Sequence, residues 1–143
     1  MTETDDIVAI QALYADYAYA LDTKDWDAMK QVFAPEVVGD FAESGGIKQG
    51  YDAVLDQLTG VAGVLDGSHH LIGNFRISFT SRDAADVLAY VQAQHIRHDA
   101  EGGDQYLMGG MYRDKVSRTE NGWRLTFRSF TPVWAHGNPA VFG

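Results

Sequence analysis

Cysteine is absent from the 143-residue chain. That one absence removes disulfides, thiolate metal sites and cysteine nucleophiles together. Cations are scarce too: 11 Lys and Arg stand against 20 Asp and Glu, for a net charge of −9. Nucleic acids are held mainly through cationic contacts to phosphate, so this balance argues against nucleic-acid partners, and against anionic membrane surfaces for the same reason. No run approaches the roughly 20 apolar residues of a membrane span. Met1 to Asp6 is acidic and polar, unlike the basic and apolar opening of a secretory signal, so a cytoplasmic protein is expected. There is neither a Gly-rich dinucleotide fingerprint nor a phosphate-binding P-loop. No cofactor is expected, and the chemistry falls to His, Asp, Glu, Tyr, Arg, Ser and backbone.

What is present is an ordinary globular composition, 45 % hydrophobic and 12 % aromatic, at the length of one domain. Apolar residues at Ile7, Ile10, Leu13, Tyr14, Tyr17, Ala18 and Leu21 predict a helix from Thr4 to Asp22, with Thr4 or Asp5 as its cap. Asp22 lies at the edge of the buried stripe and at the helix C-terminus. The helix dipole disfavours a carboxylate there, so a compensating proton or partner is expected. Asp25 to Phe33 forms a second short helical face carrying Trp26, and Pro35 stops it. A short strand at 37–42, a glycine-rich loop and a third helix, Tyr51 to Leu58, follow.

Beyond Gly67 the periodicity changes from helix to strand. Leu71, Phe75, Ile77 and Phe79 alternate on one face of a strand that begins near the adjacent His69 and His70. Strict alternation places His69 with these apolar residues, whereas a bulge near Gly73 reverses the face of everything before it; parity alone leaves both histidines open. In the next strand Val87, Ala89, Val91, Ala93 and His95 form one row, so His95 extends an inward face. His98 faces the other way, and the two cannot share a metal from a regular strand; no metal site is expected. Two more strands follow, joined by a hairpin at Glu120-Asn121-Gly122. In the last, Trp123, Leu125 and Phe127 occupy one face, and Arg124, Thr126 and Arg128 the other. Helices first and then long antiparallel strands define an α+β fold in which a curved sheet wraps over helices.

Three segments carry a family resemblance: IVAIQALYADYAYALDTKDWDAMKQVFAPEVV, GYDAVLDQL and GMYRDKVSRTENGWRLTF. In these the chain resembles SnoaL-like members of the nuclear transport factor 2-like (NTF2-like) superfamily across about residues 5 to 130, and residues 1–143 read as one such domain. The resemblance implies a cone-shaped α+β barrel with N-terminal helices packed in a mostly antiparallel sheet. The superfamily hosts many functions. This chain is similar to its Asp-His dyad members, scytalone dehydratases and lindane dehydrochlorinases, which implies Asp22, His70 and His95 as catalytic residues and selects His70 over His69. The expected activity is a cofactor-independent, dehydratase-type lyase acting on a small apolar cyclic or aromatic molecule. His70 would be the base, Asp22 its partner, and His95 with Tyr14 or Tyr17 a donor to the leaving hydroxyl. Tyr14, Tyr17, Trp26 and Arg128 are the expected substrate contacts. The alternatives are an isomerase or cyclase using the same dyad, and a non-catalytic ligand-binding or assembly module. A homodimer or homotrimer is expected, because the open sheet face of this fold often pairs.

Overall fold

A computed structural model describes residues 2–143. Helix α1 runs Glu3–Thr23 and buries Ile10, Leu13, Tyr14, Tyr17, Ala20 and Leu21 along one face. Its start lies earlier than the expected Thr4 or Asp5 cap. Thr2 accepts the Asp5 backbone N–H through its hydroxyl, and the Asp5 carboxylate accepts the Thr2 N–H in return. At the other end Lys24 turns the chain in the left-handed region (φ 57°). Its Nζ donates to the carbonyl of Leu65, tying the helix end to the segment that leads into the long strands. A 3-10 helix, Trp26–Gln31, stands where the second helical face was expected, and Asp25 caps it as expected.

Strand β1, Phe33–Asp40, begins four residues before the expected strand and takes in Pro35. The proline is tolerated because β1 slips register against its neighbour between Phe33 and Val38, where no ladder N–H is required. A short strand β2, Ile47–Gln49, and helix α2, Tyr51–Ala62, follow. Four long strands then complete the sheet: β3 Gly67–Ser81, β4 Ala84–Ile96, β5 Gln105–Thr119 and β6 Gly122–Gly137. The six strands lie in the order β2-β1-β6-β5-β4-β3. The β1–β6 pairing is parallel and the others are antiparallel. The sheet is curved and unclosed, with helices packed in its concave face around a core that includes Ile10, Met29, Val37, Val54, Val87 and Leu125.

Two β-bulges determine which side chains face that core. In β3, Gly73 pairs with Tyr90 and Arg76 with Leu88, so Asn74 and Phe75 together oppose Ala89. The bulged residue is Asn74, in the left-handed region at φ 53°, one residue beyond the glycine where the break was expected. Asparagine tolerates that conformation because its short polar side chain carries less steric penalty there than most others. Phe75, Ile77 and Phe79 pack on the core after the bulge, while Leu71, expected inward with them, is 61 % exposed. In β6, Phe127 pairs with Lys115 and Leu125 with Val116, leaving Thr126 as the extra residue. Arg128 therefore joins Trp123 and Leu125 among the buried residues instead of lying on the face opposite to them.

Candidate active site

Within the cone lies a cavity of about 530 Å³, walled by Tyr17 and Leu21 of α1, Leu58 and Ala62 of α2, and inward residues of β3 to β6. Most of its lining is apolar or aromatic. The polar groups that reach it are few, and each is placed by a strand or helix rather than by a loop.

Asp22 and His70 meet at its wall. His70 Nδ1 lies 2.6 Å from Asp22 Oδ1, the His70 backbone N–H donates to Oδ2 at 2.9 Å, and the Ser68 hydroxyl donates to Oδ1 at 2.8 Å. Three donors thus satisfy a carboxylate that the helix dipole disfavours. Burial works against the charge on Asp22, but the hydrogen bonds from His70 and Ser68 outweigh it and hold the carboxyl below its ordinary range. An ionised carboxylate can only accept, so Nδ1 of His70 carries the proton. The His70 Nε2 lone pair is then left for the cavity, which the ring lines. His69, one residue back, is exposed on the outer face.

His95 is 6 % exposed and lies across the site, its ring centroid 6.0 Å from that of His70. Its Nδ1 is 2.8 Å from the backbone carbonyl of Tyr106. A carbonyl can only accept, so this nitrogen also carries a proton and neutral His95 presents a bare Nε2. Burial lowers the pKa of His95, and the bond to Tyr106 only partly opposes it. The expected role as proton donor requires a charged imidazole that this environment disfavours. Phe142, from the 3-10 turn Pro139–Phe142, meets the His95 ring edge-on at 4.9 Å and completes the cavity wall.

At the inner end of the cavity Arg128 lies 2 % exposed, its guanidinium 3.7 Å from the ring centre of Tyr112 and 4.5 Å from that of Tyr17. Nε donates to Asp114 at 2.8 Å, and the Tyr14 hydroxyl donates to the other oxygen of Asp114 at 2.6 Å. Burial opposes the charge on Arg128, yet the adjacent carboxylate keeps it protonated. Its Nη2 is buried and has no hydrogen-bond partner among the described residues. Two of the expected substrate contacts are therefore placed at the cavity, Tyr17 and Arg128. Tyr14 is not: its hydroxyl is spent on Asp114, behind the cavity wall. Trp26 packs against the core from the 3-10 helix and does not line the cavity.

Sequence reasoning missed Ser68 and Asp114, and read the closing residues as a tail over a neighbour or a pocket mouth without singling out Phe142. Asp114 had a signal, since it interrupts the buried row Tyr112, Val116 of β5 with a charge. Ser68 had none of that kind. Among the described residues no cluster of three or more His, Asp or Glu is arranged to hold a metal.

A helix-filled, unclosed cone with an Asp-His pair in its cavity defines the class of fold. The chain belongs to the SnoaL-like domain family, whose model matches residues 2–129. An uncharacterised protein of Mycobacterium tuberculosis is 30 % identical over 129 residues, 90 % of this chain and 86 % of its own. A scytalone dehydratase candidate from Novosphingobium aromaticivorans superposes with a TM-score of 0.84 at 27 % identity, covering 95 % of this chain and 91 % of that one. The hexachlorocyclohexane dehydrochlorinase LinA-type3 of Novosphingobium barchaimii superposes with a TM-score of 0.81 over 93 % and 90 %. Its 19 % identity supports the fold alone.

Proposed function

We propose that the protein is a cofactor-independent lyase that eliminates water from a small, largely apolar cyclic or aromatic substrate, with His70 as the base. The observation that carries this reading is the 2.6 Å contact between Asp22 and His70 Nδ1, which makes Nε2 the acceptor of the neutral ring at an apolar cavity. An idle carboxylate drawn half out of water is costly, and an imidazole fixed in one tautomer is what removal of a proton from carbon requires. His70 Nε2 takes the proton, the C–H electron pair becomes the new double bond, and the C–O bond breaks. Hydroxide leaves with the proton that Nε2 has taken up, which returns His70 to its starting form, so atoms and charge balance. Asp22 stabilises the transient imidazolium, as the acid of a catalytic triad does. The buried N–H of Arg128 and the aromatic wall contribute placement.

His70→Ala and Asp22→Asn are each expected to lower turnover about 10²- to 10⁴-fold, the range for a general base. The assay is mass analysis of products from a panel of cyclic alcohols and hydroxy ketones. Loss of water marks elimination; unchanged mass with deuterium taken up from solvent marks an isomerase using the same pair. Full turnover in either variant overturns the assignment.

We also propose that the convex face of the sheet pairs with a second copy of this chain. Leu71, Tyr90, Val133 and Trp134 are exposed there, and Trp134 lies against Gly109, where a Cβ would meet its ring. The two cross-strand rows Leu71-Gln92-Gly109-Trp134 and Gly73-Tyr90-Met111-Thr131 contain no charged residue. In a chain of net charge −9 this is where two like-charged molecules can approach.

A further inference from the structure

Both histidines at the cavity present the same polarity. His70 donates its Nδ1 hydrogen bond to Asp22 and His95 donates its own to the carbonyl of Tyr106, so in their neutral forms two Nε2 acceptors line one apolar space. They are not equivalent. His70 belongs to an acid-base pair, whereas the backbone partner of His95 cannot take up or release a proton. His95 is also fixed from three sides, by Phe142 at 4.9 Å, His70 at 6.0 Å and Tyr106 at 6.1 Å between ring centres. It is a preset acceptor, oriented and unable to exchange roles unless the imidazole itself becomes charged.

The charges around the cavity point in a consistent direction. The Arg128 cation is matched by Asp114 at 2.8 Å, and the Asp22 carboxylate is engaged by His70 at 2.6 Å. Arg128 is the only Lys or Arg among the cavity's described lining and it already has its counter-charge, so an anionic ligand gains no net attraction there and loses its hydration on entering.

We propose that the cavity is specific for an uncharged molecule bearing a hydroxyl, phenolic, enolic or alcoholic, that donates its hydrogen bond to Nε2 of His95. His95 thereby sets which substrate binds and how it is turned toward His70, and it supplies no proton to the leaving group. This rests on the elimination reading only in assigning the base to His70; the binding preference stands apart from turnover. A ligand lacking the donor leaves a desolvated acceptor unpaired, and that loss is the source of discrimination.

The test uses β-naphthol, its methyl ether and β-naphthoate, titrated against the intact protein at neutral pH and followed by fluorescence. The naphthol is expected to bind about tenfold or more tighter than the ether, and the naphthoate more weakly than either. His95→Phe is expected to bring naphthol and ether to equal affinity, while His70→Ala keeps the preference. Equal affinities in the unmodified protein, a preference that survives His95→Phe or vanishes with His70→Ala, or naphthoate binding as tightly as naphthol would each overturn the proposal. Nitrogen-15 NMR of the unmodified protein checks the premise without a ligand or a variant: His95 should carry its proton on Nδ1, and a proton on Nε2 overturns the proposal whatever the probes do. Should the preference hold while His70→Ala leaves turnover intact, the elimination reading fails and the role of His95 remains.

Discussion

Three hydrogen bonds converge on Asp22, and they do different work. The bond to His70 Nδ1 defines the base, while those from the His70 backbone and the Ser68 hydroxyl hold the carboxylate in place and in its charged form. Ser68→Ala is expected to reduce turnover by about tenfold, the worth of one hydrogen bond to a charged acceptor at its lower end, with Ser68→Thr restoring it. Because Ser68 acts through Asp22, its loss should also displace the acid limb of the pH–rate profile, which a purely structural change would not do. The site's part in the pH dependence of stability follows from the lowered pKa values of Asp22 and His95. Asp22 and His95 both bind a proton less readily folded than unfolded, so the stability they contribute is complete above the unfolded values and falls as pH drops through the folded ones. His95 comes first: below about pH 6.5 the unfolded chain takes up a proton that the buried imidazole resists. Denaturant titrations at falling pH should show stability declining from that point. His95→Phe, which removes the titrating group facing His70 and Asp22, should flatten this first decline and leave the one at carboxylate pH.

The bulges explain why the elements were easier to read than their faces. The first helical stripe and the alternating row of β4 are regular, and for that reason the inward faces of Tyr17 and His95 and the place of Asp22 at the stripe's edge were legible from spacing, while the role of Asp22 came from the resemblance. In β3 and β6 the period-two rule is interrupted twice each, and the breaks that orient the site are those at Asn74 and at Thr126, where one extra residue inverts the orientation of everything on one side of it. Parity left His69 and His70 open and put Arg128 on the face opposite Trp123 and Leu125; the bulges decide both cases. The conformation of Asn74 can be tested directly. At φ 53° a branched side chain is penalised, so Asn74→Val is expected to cost about 1–2 kcal/mol of stability in urea unfolding, while Asn74→Gly should be nearly neutral. Deleting Asn74 restores strict alternation. Activity should then be lost, because His70 cannot face the cavity while Phe75, Ile77 and Phe79 keep their places in the core.

The molecule as a whole is held across its layers by the chain of contacts from Tyr14 on α1 through Asp114 on β5 to Arg128 on β6. Asp114→Asn would leave the Arg128 cation buried without its counter-charge, and a loss of about 3–5 kcal/mol is expected in denaturant unfolding. On the convex face, Trp134→Glu places a charge in the uncharged patch, and sedimentation should report monomers if a second copy docks there. By itself the sequence determined the order of helices and strands, the inward row ending in His95, and the requirement that Asp22 find a partner, because these follow from local periodicity and from the polarity of a helix end. Periodicity left open which histidine meets Asp22, where the resemblance implied His70 and the tertiary structure decided it; only the tertiary structure decided that Arg128 turns inward to Asp114 and that His95 is an acceptor. Each of those depends on where a register slips or on which atom lies opposite a ring nitrogen, and such relations arise between strands distant in the chain.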